Sequence, residues 1–169
     1  SVDTVSARSN LFCANTARRT LGGAVYNYFS GTTSAEWKNN LFIENTANTA
    51  GGAVYDQALN AVTYSNNHFL GNDAANGGAF YALNTSYDLI NNLFAYTAGG
   101  DGLDASYSGS GYTIAYNNFF TNTSNDWSSA LTVSSTANVF VDPALKAYSQ
   151  DGDCSNDDYM LQYTSPLID

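Results

Sequence analysis

Five copies of a short motif, Asn-x-Phe, recur along this chain and constrain its fold more than any other feature. The phenylalanines that close successive copies lie 30, 27, 25 and 26 residues apart. Repeats with a period of roughly 20 to 50 residues are typical of solenoids. The spacing therefore predicts an all-β fold, a right-handed parallel β-helix of about five coils. The copies are Asn10-Leu11-Phe12, Asn40-Leu41-Phe42, Asn67-His68-Phe69, Asn92-Leu93-Phe94 and Asn118-Phe119-Phe120.

Composition also favours β-structure in a single domain. Of the 169 residues, 44% are hydrophobic, with 13 Tyr and 9 Phe, which is enough to build a core. Good helix formers are scarce, and no stretch shows sustained helical periodicity. We expect the coils to occupy residues 1–138 and a non-repeating tail, residues 139–169, to cap the last coil.

Net charge narrows the range of partners. The chain carries 15 acidic and 5 basic residues, for a formal charge of −10. A phosphate-binding surface needs clustered Lys and Arg, and the basic cluster here is only Arg8, Arg18 and Arg19, so we expect no nucleic-acid partner. No run of about 18 apolar residues is present, so we expect no membrane-spanning segment. The acidic excess suits an extracellular or cell-surface protein, or one that binds divalent cations.

The two cysteines lie far apart in the predicted stack, Cys13 in the first coil and Cys154 beyond the fifth. Strands stack about 4.8 Å apart, so four intervals separate the two by roughly 19 Å, whereas a disulfide needs Cα atoms within about 7 Å. Three alternatives remain open. The thiols are free, they bond to other copies of the chain, or the tail folds back along the stack and they bond to each other.

The repeated positions predict columns of like side chains. Asn tolerates left-handed backbone geometry and bonds to nearby backbone, so it suits a sharp corner between strands. Stacked corners would let the side-chain amides bond from coil to coil. The expected asparagine ladder is Asn10, Asn40, Asn67, Asn92 and Asn118. The expected inward column is Phe12, Phe42, Phe69, Phe94 and Phe120, and a second corner follows at Asn15, Asn45, Asn72, Thr97 and Asn122.

A further strand in each coil begins with Gly-Gly-Ala in the first three repeats. Strand alternation turns successive residues inward and outward. The inward column is Val25, Val54, Phe80, Leu103 and Leu131, and the outward column begins with Tyr26, Tyr55 and Tyr81. We expect this tyrosine row to stack on sugar rings or to pack against a partner.

The residues that flank the phenylalanine column would form an apolar stripe on the outer surface. Its members are Leu11, Leu41, His68, Leu93 and Phe119, together with Cys13, Ile43, Leu70, Ala95 and Thr121. An exposed stripe of this size marks an interface. Alternatively, the corner rotates one column inward and these residues belong to the core. The single histidine, His68, has neither a second His nor an acid beside it to form a catalytic triad.

The N-terminal end of the predicted stack is bare. Residues 1–9 read as the last strand of a coil, with nothing ahead to cap it. An uncovered solenoid end exposes unpaired backbone groups and apolar side chains. Either the chain was excised from a longer β-helix or this face docks on something, so we expect end-to-end or lateral self-association.

Two motifs of the repeat resemble those of a known group. Phe-x-x-Asn, together with Gly-Gly-Ala-[Val/Phe]-Tyr, is similar to the repeats of chlamydial polymorphic membrane proteins. The tail, with Val141-Asp142-Pro143 and Ser165-Pro166-Leu167-Ile168-Asp169, resembles the terminal coil of pectate-lyase-like right-handed β-helix proteins. The resemblance spans about residues 5–169. It implies a β-helical passenger displayed at the cell surface that acts in adhesion.

β-Helix proteins often cleave polysaccharides, so the catalytic candidates need a test. Lyases use a Lys or Arg base, often beside Ca²⁺, and only Lys38 lies in a predicted middle strand, without acids in register. Hydrolases use paired carboxylates. Asp101 and Asp104 are the candidates, with Asp73 and Asp126 on adjacent coils, although solvated turn aspartates are the favoured interpretation.

An acidic loop in the tail is the candidate metal site. Residues 151–158 include four acids, an Asn and a Gly. Alternating oxygen ligands in such loops often hold Ca²⁺, which makes Asp151, Asp153 and Asp157 calcium candidates, against a plain acidic loop. The match to an EF-hand fails because no Glu follows at the last ligand position.

Together these features predict a non-enzymatic extracellular or cell-surface β-helix protein that acts in adhesion or builds a filament. Its expected ligand is a glycan or a host-surface molecule, and no cofactor is expected apart from calcium. The alternative is a polysaccharide-cleaving or glycan-binding β-helix enzyme.

Overall fold

A computed structural model describes residues 4–28, 34–57, 62–83, 86–105, 111–134 and 136–168. Within these residues the chain forms eighteen β-strands that repeat coil by coil. The first coil contains β1 (Thr4–Arg8), β2 (Leu11–Cys13), β3 (Thr16–Ala17) and β4 (Val25–Asn27), and the second contains β5 (Ser34–Lys38), β6 (Leu41–Ile43), β7 (Thr46–Ala47) and β8 (Val54–Asp56). The third contains β9 (Val62–Ser65), β10 (His68–Leu70) and β11 (Phe80–Ala82), and the fourth contains β12 (Tyr87–Ile90), β13 (Leu93–Ala95) and β14 (Leu103–Ala105). After these come β15 (Tyr112–Ala115), β16 (Asn118–Phe120), β17 (Leu145–Ala147) and β18 (Asp158–Leu161).

Equivalent strands of successive coils pair in parallel and build three long sheets. Their orders are β1-β5-β9-β12-β15, β2-β6-β10-β13-β16 and β4-β8-β11-β14. Each strand therefore pairs with the adjacent coil, and the chain is a parallel β-solenoid, as the sequence predicts. In the residues that the structure describes, four coils carry a strand in all three sheets, one fewer than the expected count of about five. In the tail, β17 and β18 form a small antiparallel hairpin.

Strand alternation places most inward columns as predicted. The rings of Phe12, Phe42, Phe69 and Phe94 stack face to face with centroids 4.7–4.8 Å apart, which is the spacing of the strands themselves. The third sheet supplies the opposite wall of this interior, where Val25, Val54, Phe80 and Leu103 are buried.

The fifth coil departs from the predicted register by one residue. Strand β16 aligns Asn118 with Leu93 and Phe119 with Phe94. Phe119 is buried and stacks on Phe94 at 5.2 Å, so it continues the inward column in place of Phe120. The prediction that Phe119 faces outward is therefore wrong. The doublets Asn117-Asn118 and Phe119-Phe120 make either register compatible with the motif.

The last coil also lacks its strand in the third sheet. The predicted strand at residues 128–132 is a turn, and Trp127 forms an isolated parallel bridge with Leu103 instead. Its ring packs edge-on against Phe119, with the two centroids 5.4 Å apart. Ser128 and Ser129 replace the glycine pair that the first three coils use here.

Buried asparagines hold the coils in register. In each coil the backbone N–H and the Nδ2 amide of one Asn donate to Oδ1 of the Asn in the next coil, at 2.8–3.1 Å. The ladder is confirmed for its first four members, and the one-residue shift replaces Asn118 with Asn117. The whole ladder is Asn10, Asn40, Asn67, Asn92, Asn117 and Asn138. A second, shorter ladder joins Asn15, Asn45 and Asn72.

Left-handed corners precede both ladders. The residue before each member of the first ladder has φ of 55–60° from Ser9 to Tyr116. The third corner uses glycines for two separate reasons. Gly51 has φ +66°, whereas a Cβ on Gly52 would lie 1.9 Å from the carbonyl oxygen of Gly78. The first glycine of the pair thus permits the turn, and the second permits close contact between coils.

The loss of unfolding free energy on replacing a ladder asparagine should depend on its position in the ladder. Asn67 is fully buried, accepts from Asn40, and donates to Asn92 and to the Trp37 carbonyl. Asn67→Ala would leave several buried polar groups unpaired at about 1–3 kcal/mol each, so we expect the unfolding free energy to fall by at least about 3 kcal/mol. Asn10→Ala, at the exposed end, should cost about 1 kcal/mol or less. Urea unfolding measures both, and equal losses would contradict this account.

Candidate ligand-binding surface

The C-terminal tail does not end beneath the last coil but returns along the side of the solenoid. It starts below the fifth coil, where Asn138 ends the ladder. It then crosses the outer face of the second sheet. The Gln150 side-chain amide donates to the Tyr96 carbonyl at 3.0 Å, and the Gly152 N–H donates to the Glu44 carboxylate. The segment expected to cap the last coil therefore also covers the side of the stack.

A disulfide fixes the far end of this path. Cys154 is bonded to Cys13 of the first coil, with Cα atoms 6.3 Å apart and a sequence separation of 141. Of the three alternatives left by the sequence, the structure contains the intrachain bond. The axial separation of the two cysteines is overcome because the tail climbs back along the stack. Disulfides persist in oxidising compartments, so this bond is weakly consistent with an extracellular protein.

The apolar stripe exists, but much of it contacts the tail. Ile43, Leu70 and Ala95 are fully buried on the outer face of the second sheet. They form a second hydrophobic cluster, distinct from the solenoid interior, with tail residues Leu145, Tyr148, Cys154, Tyr159 and Leu161. In the predicted outward column, Leu41 packs against this cluster, Leu93 is buried within it, and Leu11 is 53% exposed. The stripe therefore faces outward from the solenoid, and its main contact is with the tail of the same chain.

Two adjoining cavities lie where the tail meets the second sheet and the last coil. One has a volume of about 480 Å³ and is lined by Tyr116, Leu167 and others, and a shallower one of about 670 Å³ is lined by Met160 and others. Both are lined by His68 and Leu161. We call the combined surface the C-terminal cleft, defined by these five residues. The volume of each cavity lies in the range of ligand pockets, about 300–1,000 Å³.

Polar groups in the cleft are mostly uncharged. The Asn91 amide donates to Asn66 Oδ1 at 2.6 Å on one side. His68 is partly buried, and burial lowers the pKa of its imidazole, so the ring is neutral at pH 7. Its Nδ1 atom is buried and has no hydrogen-bond partner in the described part of the chain. Asp157 and Asp158 line the other side. The cleft offers apolar contact, neutral hydrogen-bonding groups and a negative rim.

The tyrosine row is a closed stack. Tyr26, Tyr55 and Tyr81 lie with neighbouring centroids 5.3 Å apart and planes within 7° of parallel. Sugars stack on the face of an aromatic ring, but in this column the faces cover one another. Tyr55 is only 5% exposed, whereas Tyr26 at the end of the column is 49% exposed. The geometry therefore does not favour sugar stacking along the row.

The candidate catalytic carboxylates are tied to separate local donors. Asp101 accepts from the Asn125 side chain at 2.8 Å, and Asp104 accepts from the Ala105 N–H at 2.7 Å. Asp126 accepts from a neighbouring Asn side chain at 2.9 Å. The three carboxylates accept from three different donors, and Asp104 does so from within strand β14. The structure thus provides each carboxylate with its own structural role.

The acidic loop is organised in the same way. Asp151 accepts from the Asn156 side chain, Asp153 from the Ser155 N–H, and Asp157 from Ser149, at 2.7–3.0 Å. In the ranges that the structure describes, no group of three or more His, Cys, Asp or Glu side chains is arranged to hold a metal ion. The assignment of Asp151, Asp153 and Asp157 to a calcium site therefore stays a prediction.

Comparison with family models, with curated proteins and with solved structures finds no match to this chain. The parallel β-solenoid is shown by the structure itself, and the resemblance to particular β-helix families stays a prediction. Among the described residues, no helix is both long and apolar enough to cross a membrane.

Sequence reasoning missed the tail side of the cleft. In β18, Tyr159 and Leu161 face the second cluster, while Met160 between them is exposed. The alternation of period two in this segment is the signal that would have predicted a strand with one apolar face. Tyr116, in contrast, occupies a corner that Asn or Ser fills in other coils, and no motif marks it.

We expect the disulfide to hold the tail against the solenoid. Because it closes a long loop, Cys154→Ser should lower the unfolding free energy by about 2–5 kcal/mol. It should also increase binding of a hydrophobic dye, since Ile43 and Leu70 would become accessible. Cys13→Ser should give the same two effects, and the double variant no more than either. Dye binding that stays unchanged after reduction would show that other contacts hold the tail.

Glu44 should make the tail contact depend on pH. Burial raises the pKa of its carboxyl above the ordinary value of 4.5, and nearby Asp157 raises it further. A carboxyl whose pKa rises on folding destabilises the folded state when ionised, so its contribution to stability grows as pH falls through the folded pKa and levels off below 4.5. Glu44→Gln keeps an acceptor for Gly152 and removes the charge. We expect this variant to be at least as stable at pH 7 and to lack that gain on acidification, as thermal melts at several pH values would measure.

Proposed function

We propose that this protein is a non-enzymatic extracellular or cell-surface β-solenoid that acts in adhesion, with the C-terminal cleft as its ligand-binding surface. The observation that carries the proposal is the gathering of large exposed apolar side chains around the two cavities. Tyr116, which lines the first cavity, is 72% exposed, and Met160 and Ile168, which line the second, are exposed as well. Soluble proteins rarely leave such groups clustered unless they mark an interaction site.

The rigidity of the stack supports a binding role. The cleft is formed by a corner of the fifth coil, a face of the second sheet and the tail, which is anchored to the first coil by its disulfide. A surface built on rigid elements is ordered before it meets a ligand, which lowers the entropy cost of binding. The disulfide and the acidic composition support an extracellular location. The resemblance to chlamydial polymorphic membrane protein repeats supports adhesion at a cell surface.

Charge narrows the ligand class. The cleft places a neutral His68 and the Asn66–Asn91 amide pair beside apolar side chains, and Asp157 and Asp158 stand at one edge. The whole chain carries a formal charge of −10. Acidic polysaccharides would be repelled at this edge. We therefore propose a neutral glycan or a neutral-to-basic peptide segment of a host-surface protein as the ligand.

The enzyme alternative has less support. Each of the three candidate carboxylates bonds to a different donor. Asp101 accepts from a side chain of the next coil, Asp104 from the N–H of the residue beside it in β14, and Asp126 from a side chain four residues before it. A glycosidase needs two carboxylates that face one substrate bond, about 5–10 Å apart. The cleft contains no member of this trio.

A binding assay with matched tyrosine variants tests the adhesive role. Wild-type protein is applied to immobilised neutral polysaccharides, acidic polysaccharides and extracellular-matrix proteins. The double variant Tyr116→Ser, Met160→Ser should bind the ligand that retains the wild-type protein more weakly by about tenfold or more. A tenfold loss of affinity corresponds to about 1.4 kcal/mol. Tyr28 is also an exposed tyrosine, but it lies in the first coil and outside the cleft. Tyr28→Ser should therefore leave binding unchanged.

The same samples distinguish the alternatives. If Tyr28→Ser weakens binding as much as the cleft variant does, the cleft is not the ligand site. If soluble fragments are released from a polysaccharide and Asp101→Asn or Asp104→Asn stops the release, the protein is an enzyme. We expect binding without fragment release.

A further inference from the structure

A histidine occupies a position that leucines fill in the neighbouring coils. In the second sheet His68 of β10 pairs directly with Leu41 of β6 and with Leu93 of β13. Leu93 belongs to the second hydrophobic cluster, Leu41 packs against it, and Leu11 precedes them in the same column. The repeat accepts a leucine at this position in three other coils, so the fold does not require the imidazole of His68.

The imidazole is placed here at a cost to folding stability. Its Nδ1 atom is buried and has no hydrogen-bond partner among the described residues. Burial also lowers the pKa of the ring below the ordinary value of 6.5, because an imidazolium would lose its hydration there. A buried polar atom that is left unpaired destabilises the folded state. Residues that break the local pattern without a structural gain are expected at functional sites.

The burial of Nδ1 decides which ring nitrogen carries the proton. A neutral imidazole has one nitrogen that donates and one that accepts. In protein interiors a buried N–H without an acceptor is rarer than a buried acceptor without a donor. The proton therefore sits on Nε2, the nitrogen that is left for the cleft, since His68 lines both of its cavities. The cleft thus contains a neutral N–H donor that makes no hydrogen bond to another described residue.

Charge decides what kind of acceptor this donor can meet. Asp157 and Asp158 line the same cavity, so a carboxylate, sulfate or phosphate oxygen would be repelled there. The two aspartates are also poor partners for a cationic ligand, because both are bonded within the tail. Asp157 accepts from the Ser149 N–H. Asp158 accepts from the Met160 N–H, and its Oδ2 lies 3.9 Å from Lys146 Nζ. The acceptor that fits the donor is an uncharged oxygen.

The rest of the first cavity suits a sugar. The Asn66 and Asn91 carboxamides lie on one side, and a carboxamide both donates to and accepts from hydroxyl groups. The Tyr116 ring is exposed at the same cavity and, unlike the rings of the tyrosine row, it is not stacked on another described ring. Ligand sites combine an apolar lining with a few polar groups that fix orientation. A neutral sugar ring matches this set through its hydroxyls and its apolar face.

We propose that His68 is the ligand-reading residue of the C-terminal cleft, where its Nε2–H donates a hydrogen bond to an uncharged oxygen of a neutral glycan. The proposal rests on the proposed function, because it takes the cleft as the ligand-binding surface, and it selects the glycan from the two ligand classes named there. The hydrogen bond orients the sugar, while Tyr116 covers its apolar face. The stability lost at Nδ1 is offset by a function that a leucine could not perform.

Nuclear magnetic resonance tests the donor directly. The chain contains one histidine, so its ring signals need no assignment. We expect nitrogen–proton correlation spectra at pH 7 to show the proton on Nε2. Maltotriose and tri-N-acetylchitotriose serve as neutral probes, and trigalacturonate serves as the acidic probe. At least one neutral probe should shift the His68 ring signals and bind about tenfold or more tightly than the acidic probe.

His68→Leu separates binding from stability. It removes the donor and restores the side chain of the neighbouring coils, so binding of the neutral probe should weaken by about tenfold or more while the melting temperature stays the same or rises. A purely structural histidine would give the opposite pair of results, unchanged binding and a lower melting temperature. The matched control is His68→Gln, which keeps a side-chain N–H donor and should bind within about threefold of wild type.

Four results would overturn the inference. They are a proton on Nδ1, no binding of either neutral probe, tighter binding of trigalacturonate, and binding that is unchanged in His68→Leu. If the double variant Tyr116→Ser, Met160→Ser weakens binding and His68→Leu does not, the cleft remains the ligand site and only the role of His68 is wrong. If neither weakens binding of a probe that the wild-type protein retains, the proposed function itself fails.

Discussion

Hydrogen bonds between stacked asparagines are the constraint on which the other columns of this solenoid depend. Each inner ladder residue, from Asn40 to Asn117, joins two neighbouring coils through donors and an acceptor that are buried away from water. A slip of one residue in any strand would break these bonds and would also turn its inward side chains outward. Buried amides tolerate such a loss poorly, so one register is strongly preferred. The phenylalanine stack, at strand spacing, follows from that register.

The sequence predicts the structure well where the asparagine ladder repeats without ambiguity, and poorly elsewhere. Where an Asn-x-Phe motif is unambiguous, from Asn10 to Phe94, the predicted corners, inward residues and sheet order are those of the structure. Where the motif doubles, at Asn117-Asn118, local pattern permits two registers and only packing decides between them. The path of the tail has no period at all. Its alternating apolar residues could predict a strand, but no rule of spacing could predict the sheet that it would cover.

The tail covers an apolar outer face that the repeated strands create. A solenoid strand that is apolar on both faces needs a cover on the outside, and Ile43, Leu70 and Ala95 lie on such a face. The tail covers this face, and the two together form the second hydrophobic cluster. A corner glycine makes the close approach feasible, because a Cβ on Gly71 would lie 2.1 Å from the Tyr148 hydroxyl. The candidate site inherits its shape from this arrangement, which is why no catalytic or binding motif in the sequence indicated it.

The direction of the ladder also makes the two ends of the molecule chemically different. Amide donors point toward the C-terminal end, where Asn138 donates to the carbonyls of Ile114 and Ser134. The cleft runs beside the ladder, since Asn92 and Asn138 line one of its cavities and Leu41 and His68 line the other. Its walls therefore share the rigidity of the stack, which is the property on which the proposed binding role depends.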